Sequence, residues 1–498
     1  MPDSIFKAYD IRGKYPKEIN KITACLIGQA FINFVKDKVY PVKSAKLLIV
    51  IGQDLRKSSP TLFKGLIKGI STLRQTNIID IGKVPIDAFY FAVEYFKADG
   101  GIMITASHNP LTWNGFKMIV KNYGFICQGQ GMEELELRVE NQPSHPTGLL
   151  DWITGQKSKI YIKSVNIIPN YLNHIFKLAK KLDFQPIPRS LKIGLEFLGG
   201  TASKIIKPLA KKLFLKTIYL NSLVDPSDPL LSKNLKRISK TIKKKKLDFG
   251  VSFDGDGDRC VFLDEKGKII DPSMILVLFS LFFLEKFPHS KIVYNLVCSK
   301  IVKETIKKHG GIPIRCPVGH VFIKKIAAKN HAVFGGEHSA HFFWKENNYS
   351  ECPSLALLLM IQILSRKKQK LSKLIKPFKK YYKGTEIDLS SKKFSLTKMS
   401  KNFKKLVSYF RGRKIDPVRR SQTTSNFIPE LRKNLRSEPS NGVDYLDGLT
   451  IEFPDWWFNL RPSRTESIFK LVIEAENKKM FLEKKKKILS LLTNLRIS

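Results

Sequence analysis

Three carboxylates at alternate positions carry the most specific chemistry in this sequence. In Asp254-Gly255-Asp256-Gly257-Asp258-Arg259 the glycines let the backbone fold tightly, so the acids can converge on one hard cation, as oxygen ligands do for Mg²⁺. A calcium-binding helix-loop-helix competes, because Glu265 falls where such a loop places its last ligand. It fails where that loop needs a central glycine, since Arg259 stands there. The flanks Val251–Phe253 and Cys260–Leu263 read as strands, so a hairpin or strand-to-strand metal loop is expected, with Arg259 beside the metal and available to a phosphate. A merely acidic solvated turn is the bland alternative.

A second constellation is Thr105-Ala106-Ser107-His108-Asn109-Pro110, directly after the strand-like GIMI. A small hydroxyl held at a strand end by an Asn-Pro turn is expected to be exposed and positioned to meet a substrate. Read alone, the hexapeptide is equally a turn with capping residues. Asn114-Gly115-Phe116-Lys117 then adds a cation that could neutralise a phosphoryl group or help move a proton.

The third is Gly335-Gly336-Glu337-His338-Ser339-Ala340-His341. An extended segment would project Glu337, Ser339 and His341 from one face and offer donors and acceptors to sugar hydroxyls. Two histidines and a glutamate at these spacings, without a helix, do not match the usual zinc arrangement. His320, in Pro317-Val318-Gly319-His320, is a candidate proton carrier set against the default of a structural histidine. The fourth, Arg461-Pro462-Ser463-Arg464-Thr465-Glu466, reads as a loop of guanidinium and hydroxyl groups suited to a phosphate dianion, and equally as common surface composition.

These loops need rigid elements behind them. The runs Lys46–Gly52, Gly101–Thr105, Lys192–Phe197, Asp248–Phe253 and Lys291–Val297 read as buried strands, separated by lengths able to hold helices such as Thr61–Leu73 and Leu276–Phe287. Alternating strands and helices argue for α/β layers. Composition shifts place boundaries near Pro143–Pro146, near Phe253–Arg259 and in the basic stretch Ser365–Pro377. The domains expected are therefore 1–146, 147–253 with the metal loop at its end, 254–366, and a charge- and turn-rich 367–498.

At 498 residues the chain exceeds what one hydrophobic core supports, so several domains are expected. With 43% apolar and 26% charged residues, the composition is that of a globular chain and not a disordered one. No signal peptide fits MPDSIFKAYD, and the longest apolar run, Met274 to Leu284, is short for a membrane span; a cytoplasmic location is expected. Six scattered cysteines without a CxxC pair suit reduced, mostly buried thiols better than disulfides or zinc. The net charge of +44 raises the question of nucleic acid. The lysines are spread along the chain with no recognisable nucleic-acid module, and runs such as Lys243–Lys246 and Lys484–Lys487 fit solvated helix faces. No nucleic-acid partner is expected, and the field favours anionic, phosphorylated substrates.

Taken in chain order, KAYDIRG, TASHNP with NGFK, DGDGDR, GEHSAH and RPSRTE resemble the signature loops of the α-D-phosphohexomutase superfamily, bacterial phosphomannomutase/phosphoglucomutase type, from Ser4 to about Ala475. The resemblance implies an α/β fold in a heart-shaped, four-domain arrangement: three related α/β domains and a smaller C-terminal α+β domain, each lending a loop to a central cleft. It implies a mutase acting on mannose or glucose phosphates through phospho-Ser107, with Mg²⁺ held by Asp254, Asp256, Asp258 and a phosphate oxygen on Ser107, and a hexose 1,6-bisphosphate as primer. Glu337 and Ser339 would read sugar hydroxyls, and Arg461, Ser463 and Thr465 would hold the phosphate not being transferred. Tyr9, Arg12, Lys117, Arg259, His320 and His341 match cleft positions, with Arg12, Lys117 and His320 candidates for proton transfer. A monomer is expected.

Some positions depart from the pattern: Ala340 replaces a glycine, Arg464 an asparagine, Ser467 and Asp87 prolines, and Val297 a frequent cleft lysine. Ala340 and Arg464 are expected to be tolerated, Arg464 adding charge beside a phosphate; Val297 removes a substrate contact. Glucosamine-phosphate mutase is the nearest rival reading, with a basic nucleic-acid-binding protein and a binding-only family member behind it.

Overall fold

The computed structural model describes residues 5–39, 46–73, 76–142, 161–184, 191–390, 442–464 and 468–494. The chain forms two compact units, Met1–Ile275 with Ser339–Leu374 and Leu276–His338 with Ile375–Ser498.

The first unit begins with β1 (Ile11–Lys14), α1 (Lys21–Val39), β2 (Leu47–Gln53), α2 (Ser59–Ile70), β3 (Thr76–Lys83), α3 (Ile86–Tyr95), β4 (Gly100–Ile104), β5 (Trp113–Val120), β6 (Gly124–Phe125), α4 (Met132–Glu140) and β7 (Tyr161–Ser164). They build one sheet in the order β1-β5-β4-β2-β3-β7, with β6 on β5. β2 is parallel to both β3 and β4. Central parallel strands are covered on both faces, which is why LLIVIGQ is nearly all apolar. Ile49, Ile51, Ile102 and Ile104 pack with Phe31 and Phe34 of α1 in a fully buried core, each worth roughly 2 kcal/mol by area. The chain leaves β4 into the Ser107 loop and returns antiparallel along β5. That places the loop at the carboxyl end of a central strand, where open α/β sheets bind ligands.

After α5 (Ile168–Lys181), a second sheet is formed by β8 (Lys192–Glu196), α6 (Ser203–Lys212), β9 (Lys216–Leu220), α7 (Lys236–Lys245), β10 (Phe249–Phe253) and β11 (Cys260–Leu263), ordered β11-β10-β8-β9. β8, β9 and β10 are parallel and β11 is antiparallel. The three-acid loop is the turn of the β10–β11 hairpin. The boundary expected between residues 253 and 254 therefore falls inside one sheet: Phe253 pairs with Cys260 and Gly250 with Leu263, so the layer ends only after Leu263. Lys243–Lys246 at the end of α7 are exposed. The boundary expected near Pro143–Pro146 lies outside the described residues.

α8 (Pro272–Lys286) leads to the second unit, where β12 (Lys291–Asn295), α9 (Lys300–Lys308), β13 (Ile312–Cys316), α10 (His320–Asn330) and β14 (Phe334–Gly336) follow. β12 is the middle strand, parallel to both neighbours. The chain then returns to the first unit as β15 (Phe342–Trp344), β16 (Ser350–Glu351), α11 (Pro353–Lys367) and α12 (Leu371–Ile375). The expected connector Ser365–Pro377 is thus largely helical. The C-terminal domain is an antiparallel sheet of β17 (Tyr382–Lys383), β18 (Ile387–Ser390), β19 (Val443–Asp444), β20 (Leu449–Glu452), β21 (Trp456–Pro462) and β22 (Ile468–Ala475), covered by α13 (Lys478–Asn494). Three α/β layers and a sheet-rich C-terminal domain are the architecture that the loops implied.

All six cysteines are buried free thiols. No helix among the described residues is long and apolar enough to cross a membrane.

Candidate active site

Ser107 is only 2% exposed, so the exposed hydroxyl expected from the sequence is instead covered. The reason is the three-acid turn: a Cβ at Gly255 would lie 2.8 Å from the Ser107 carbonyl oxygen, so the hairpin packs directly on the serine loop. Ser107 sits at φ 52, a left-handed conformation that a residue with a side chain adopts at a cost of about 1–2 kcal/mol. Its N–H donates to Thr105 Oγ1 at 2.8 Å, and its hydroxyl points at Asp254 Oδ2, 3.5 Å away. His108 Nδ1 lies 3.1 Å from the same hydroxyl. Burial and the nearby Arg259 and Arg12 hold the His108 imidazole well below its ordinary value, so the ring is neutral at pH 7.

One oxygen each of Asp254, Asp256 and Asp258 lies within 4.8 Å of the others, and all three residues are buried. Asp254 Oδ1 accepts the backbone N–H groups of Gly257, Asp258 and Arg259, each at 3.1 Å, which leaves Oδ2 facing Ser107. Burial, Asp258 and Asp256 raise the Asp254 carboxyl well above the usual range. Asp258 is also buried, yet Lys117, His341 and Arg259 hold it well below. Asp256 Oδ1 is buried without a hydrogen-bond partner. A buried carboxylate oxygen left unpaired is costly, and three converging carboxylates with one oxygen in that state fit a hard cation.

Cations surround the acids. Lys117, delivered by β5 and 4% exposed, donates to Asp256 Oδ2 at 2.8 Å and Asp258 Oδ2 at 3.1 Å. Burial opposes its charge, but the two aspartates lift its pKa well above the ordinary value; it stands as a fixed cation. β1 brings its neighbour in place because a Cβ at Gly115 would fall 1.9 Å from the Ile11 carbonyl oxygen. Arg12 donates to Asp10 through Nε and Nη2, at 2.7–3.0 Å, and to Asn109 Oδ1 at 2.8 Å. Tyr9 is half-buried in the bend before β1. Arg259 donates to His341 Nε2 at 3.3 Å.

His341 is 3.2 Å from Asp258 Oδ1 through Nε2 and 2.8 Å from Ser339 Oγ through Nδ1. The segment before it is not extended: residues 338–340 form a turn with Ala340 at φ 68, and the Ala340 carbonyl accepts from Cys260 N at 3.1 Å. Ser339 and His341 therefore meet through a turn and not by strand alternation.

In the second unit, Glu337 directly follows β14 and is 2% exposed. Its Oε1 accepts from Gly319 N at 3.0 Å and Asn295 Nδ2 at 3.2 Å. That ties it to the turn carrying His320, which opens α10 half-buried. Arg461 lies in β21, paired with Lys470 of β22, and not in a loop; just beyond it, Ser463 N donates to Ile468 O at 2.8 Å. Arg461 donates to Asn459 Oδ1 at 3.1 Å and to Glu386. Arg464 donates to Asp447 Oδ1 at 2.9 Å and stacks over Phe322 at 4.6 Å, so the extra charge expected beside a phosphate is already engaged. Thr465 and Ser467 lie outside the described residues. Val297 is buried among Leu296, Leu446, Trp457 and Val472, and its carbonyl accepts from Lys383.

Sequence reasoning passed over His108, Asn295, Glu386 and Arg56. His108 acts on the adjacent Ser107, whereas Asn295, Glu386 and Arg56 act through partners far along the chain, and no local pattern marks them.

Models of the phosphoglucomutase/phosphomannomutase α/β/α domains match residues 3–144 (domain I), 169–267 (domain II) and 271–381 (domain III). The phosphomannomutase of Methanocaldococcus jannaschii is 30% identical over 499 residues, 99% of this chain and 98% of the relative. That of Escherichia coli K12 is 28% identical over 98% of both. A crystal structure of a phosphoglucomutase/phosphomannomutase family protein from Burkholderia thailandensis superposes with a TM-score of 0.79 at 25% identity, over 99% of this chain and 97% of that one. Fold and site together define an enzyme of the phosphohexose mutase class. The chain belongs to the phosphoglucomutase/phosphomannomutase family.

Proposed function

We propose that this enzyme interconverts the 6- and 1-phosphates of mannose, glucose or both through a phosphorylated Ser107, with Mg²⁺ at Asp254, Asp256 and Asp258 and a hexose 1,6-bisphosphate as primer. The observation that carries the reading is the Ser107 hydroxyl 3.5 Å from Asp254 Oδ2, above a buried triad with an unpartnered oxygen on Asp256.

Phosphoryl transfer needs an in-line nucleophile and strong neutralisation of charge more than covalent help. The bound Mg²⁺ would supply Lewis-acid polarisation of the phosphoryl oxygens. Phospho-Ser107 gives its phosphoryl group to a hydroxyl of a sugar monophosphate: the serine P–O bond breaks and a sugar P–O bond forms. The hydroxyl proton leaves to a base while the departing Ser107 oxygen takes up a proton, and the bisphosphorylated sugar turns around before the reverse transfer restores phospho-Ser107. Arg259 and Lys117 stabilise the charge. For the proton, Arg12 and Lys117 are held charged by their carboxylate partners, which favours His320 or neutral His108 as acceptor. Glu337 and Ser339 read the sugar hydroxyls, with Tyr9 and His341 beside the substrate. Arg461, Ser463 and Thr465 grip the distal phosphate; Arg461 then exchanges its Glu386 contact for a charge-assisted pair with phosphate.

The test is a coupled assay with Mg²⁺ and a bisphosphate primer, offering mannose 1-phosphate and glucose 1-phosphate separately. Activity lost in Ser107→Ala supports the reading and ranks the sugars. No turnover with either sugar shifts it to glucosamine phosphate.

A further inference from the structure

The segment Gln53-Asp54-Leu55-Arg56-Lys57-Ser58-Ser59 follows β2, the strand beside β4 whose end carries Ser107. The Asp54 N–H donates to the last carbonyl of β4, Ile104 O, at 2.9 Å, so the two strand ends are locked together. From this base the Arg56 side chain, 5% exposed, reaches across the serine loop.

Every guanidinium donor of Arg56 is used, and all but one goes to that loop. Nη2 donates to Ser107 O at 2.8 Å and Asn109 O at 2.7 Å. Nη1 donates to Pro110 O at 2.6 Å and Trp113 O at 3.0 Å. The remaining donor, Nε, meets Asp54 Oδ2 at 3.1 Å, and Asp54 is itself held by the Arg56 N–H at 3.0 Å and Ser59 Oγ at 2.7 Å. Ser58 and Ser59 also accept from Asn114 Nδ2, at 2.7 and 3.1 Å, which fixes the strand that presents Lys117. The acceptors thus span the whole excursion from Ser107 to Trp113, and the planar five-donor fork is the one side chain able to serve them together.

We infer that Arg56 is a positioning residue for phosphoryl transfer: it holds Ser107 in its left-handed conformation with the hydroxyl aimed at Asp254, and touches neither substrate nor metal. Ser107 at φ 52 relaxes to an extended conformation unless its surroundings over-determine it, and the clamp on its own carbonyl is one such constraint, beside the Thr105 bond to its N–H. Lysine keeps the charge but has three donors on a single point, so Arg56→Lys releases carbonyls of the loop while leaving the sheet below intact.

The inference rests on Ser107 as the phosphoryl carrier, so the experiment measures that first. Wild-type enzyme with Mg²⁺ and glucose 1,6-bisphosphate is quenched on the millisecond scale and Ser107 phosphorylation is followed by mass spectrometry. Label on Ser107 keeps the parent reading; its absence removes that reading and not the geometry of the clamp. In Arg56→Lys the transfer rate is expected to fall about 10²-fold, the scale of a misplaced reacting group, with KM for the sugar phosphate and the melting temperature near wild type. Lys57→Met, an exposed neighbour, should transfer normally. Guanidinium ion added to Arg56→Ala should restore part of the rate. Wild-type transfer in Arg56→Lys overturns the inference. So does a rate that falls only in proportion to unfolded protein and is not rescued by guanidinium.

Discussion

Lys117 Nζ donates to Asp256 Oδ2 at 2.8 Å, on the same carboxylate whose other oxygen is buried without a partner. One oxygen is neutralised from within the protein, and in the proposed function the other is open to a cation from outside. Lys117→Met removes the internal half of that arrangement. Without metal the three carboxylates then repel one another more strongly, so the variant should melt lower than wild type. Adding Mg²⁺ should raise its melting temperature by more than it raises that of wild type. Turnover should fall at least 10²-fold. Equal Mg²⁺-induced shifts in both proteins would contradict this division of labour.

Asp254→Asn separates fold from chemistry. The amide oxygen still accepts the Gly257, Asp258 and Arg259 N–H groups that Asp254 Oδ1 binds, and one crowded charge is gone. Burial and its acidic neighbours raise the Asp254 pKa, so the folded chain holds this proton more tightly than the unfolded one; stability is lost as pH rises past the ordinary carboxylate value toward the raised one. The metal-free variant should therefore be as stable as wild type or more so at pH 8 by differential scanning calorimetry. Its turnover should be below about one hundredth of wild type, because the proposed carboxylate ligand has become a neutral amide.

Asp87, where the motif pattern has a proline, shows what the sequence pattern withheld. It opens α3 only 3% exposed, and burial, opposed by a Tyr171 hydrogen bond, lifts its pKa from 3.8 to about 7. The unfolded chain loses this proton near 3.8 and the folded one near 7, so stability falls as pH rises through that window. Asp87→Asn keeps the hydrogen bonds and removes the slope. At pH 8 it should be more stable by up to about 4 kcal/mol, at about 1.4 kcal/mol per unit. Unfolding curves at pH 5 and 8 test this, and a wild-type slope retained by the variant would refute it.

Ala340→Gly should be close to neutral. Relief of the left-handed φ of 68 gains about 1–2 kcal/mol, while a buried methyl in the cluster with Leu220 and Val261 and extra unfolded-state entropy take back about as much. A melting temperature within a few degrees of wild type is expected, which accounts for alanine being tolerated where the motif pattern has glycine.

What could be read from the sequence was what is local. Alternating acids and glycines on strand-like flanks gave the hairpin, and buried Ile/Val runs gave the central strands, because both patterns are set by neighbouring residues. The placement of the second boundary failed because β11 is antiparallel and continues the sheet of β10, a pairing that composition does not encode. Glu337, Ser339 and His341 were grouped by a two-residue period that Ala340's turn breaks. Arg464 and Arg461 looked free as a basic loop, yet their partners Asp447 and Glu386 lie 17 and 75 residues away. Arg56 was invisible for the same reason: its acceptors are carbonyls more than 50 residues on, and backbone carbonyls leave no trace in residue identity.

The most direct test of the account is the site of phosphorylation. Purified enzyme is mixed with Mg²⁺ and glucose 1,6-bisphosphate, digested and sequenced by tandem mass spectrometry, beside Ser107→Ala. The account predicts one phosphoryl group, on Ser107, discharged when excess mannose 6-phosphate or glucose 6-phosphate is added, and none in the variant. Mutase turnover retained by Ser107→Ala, or a phosphoryl group found on another residue and discharged at the rate of turnover, would contradict it.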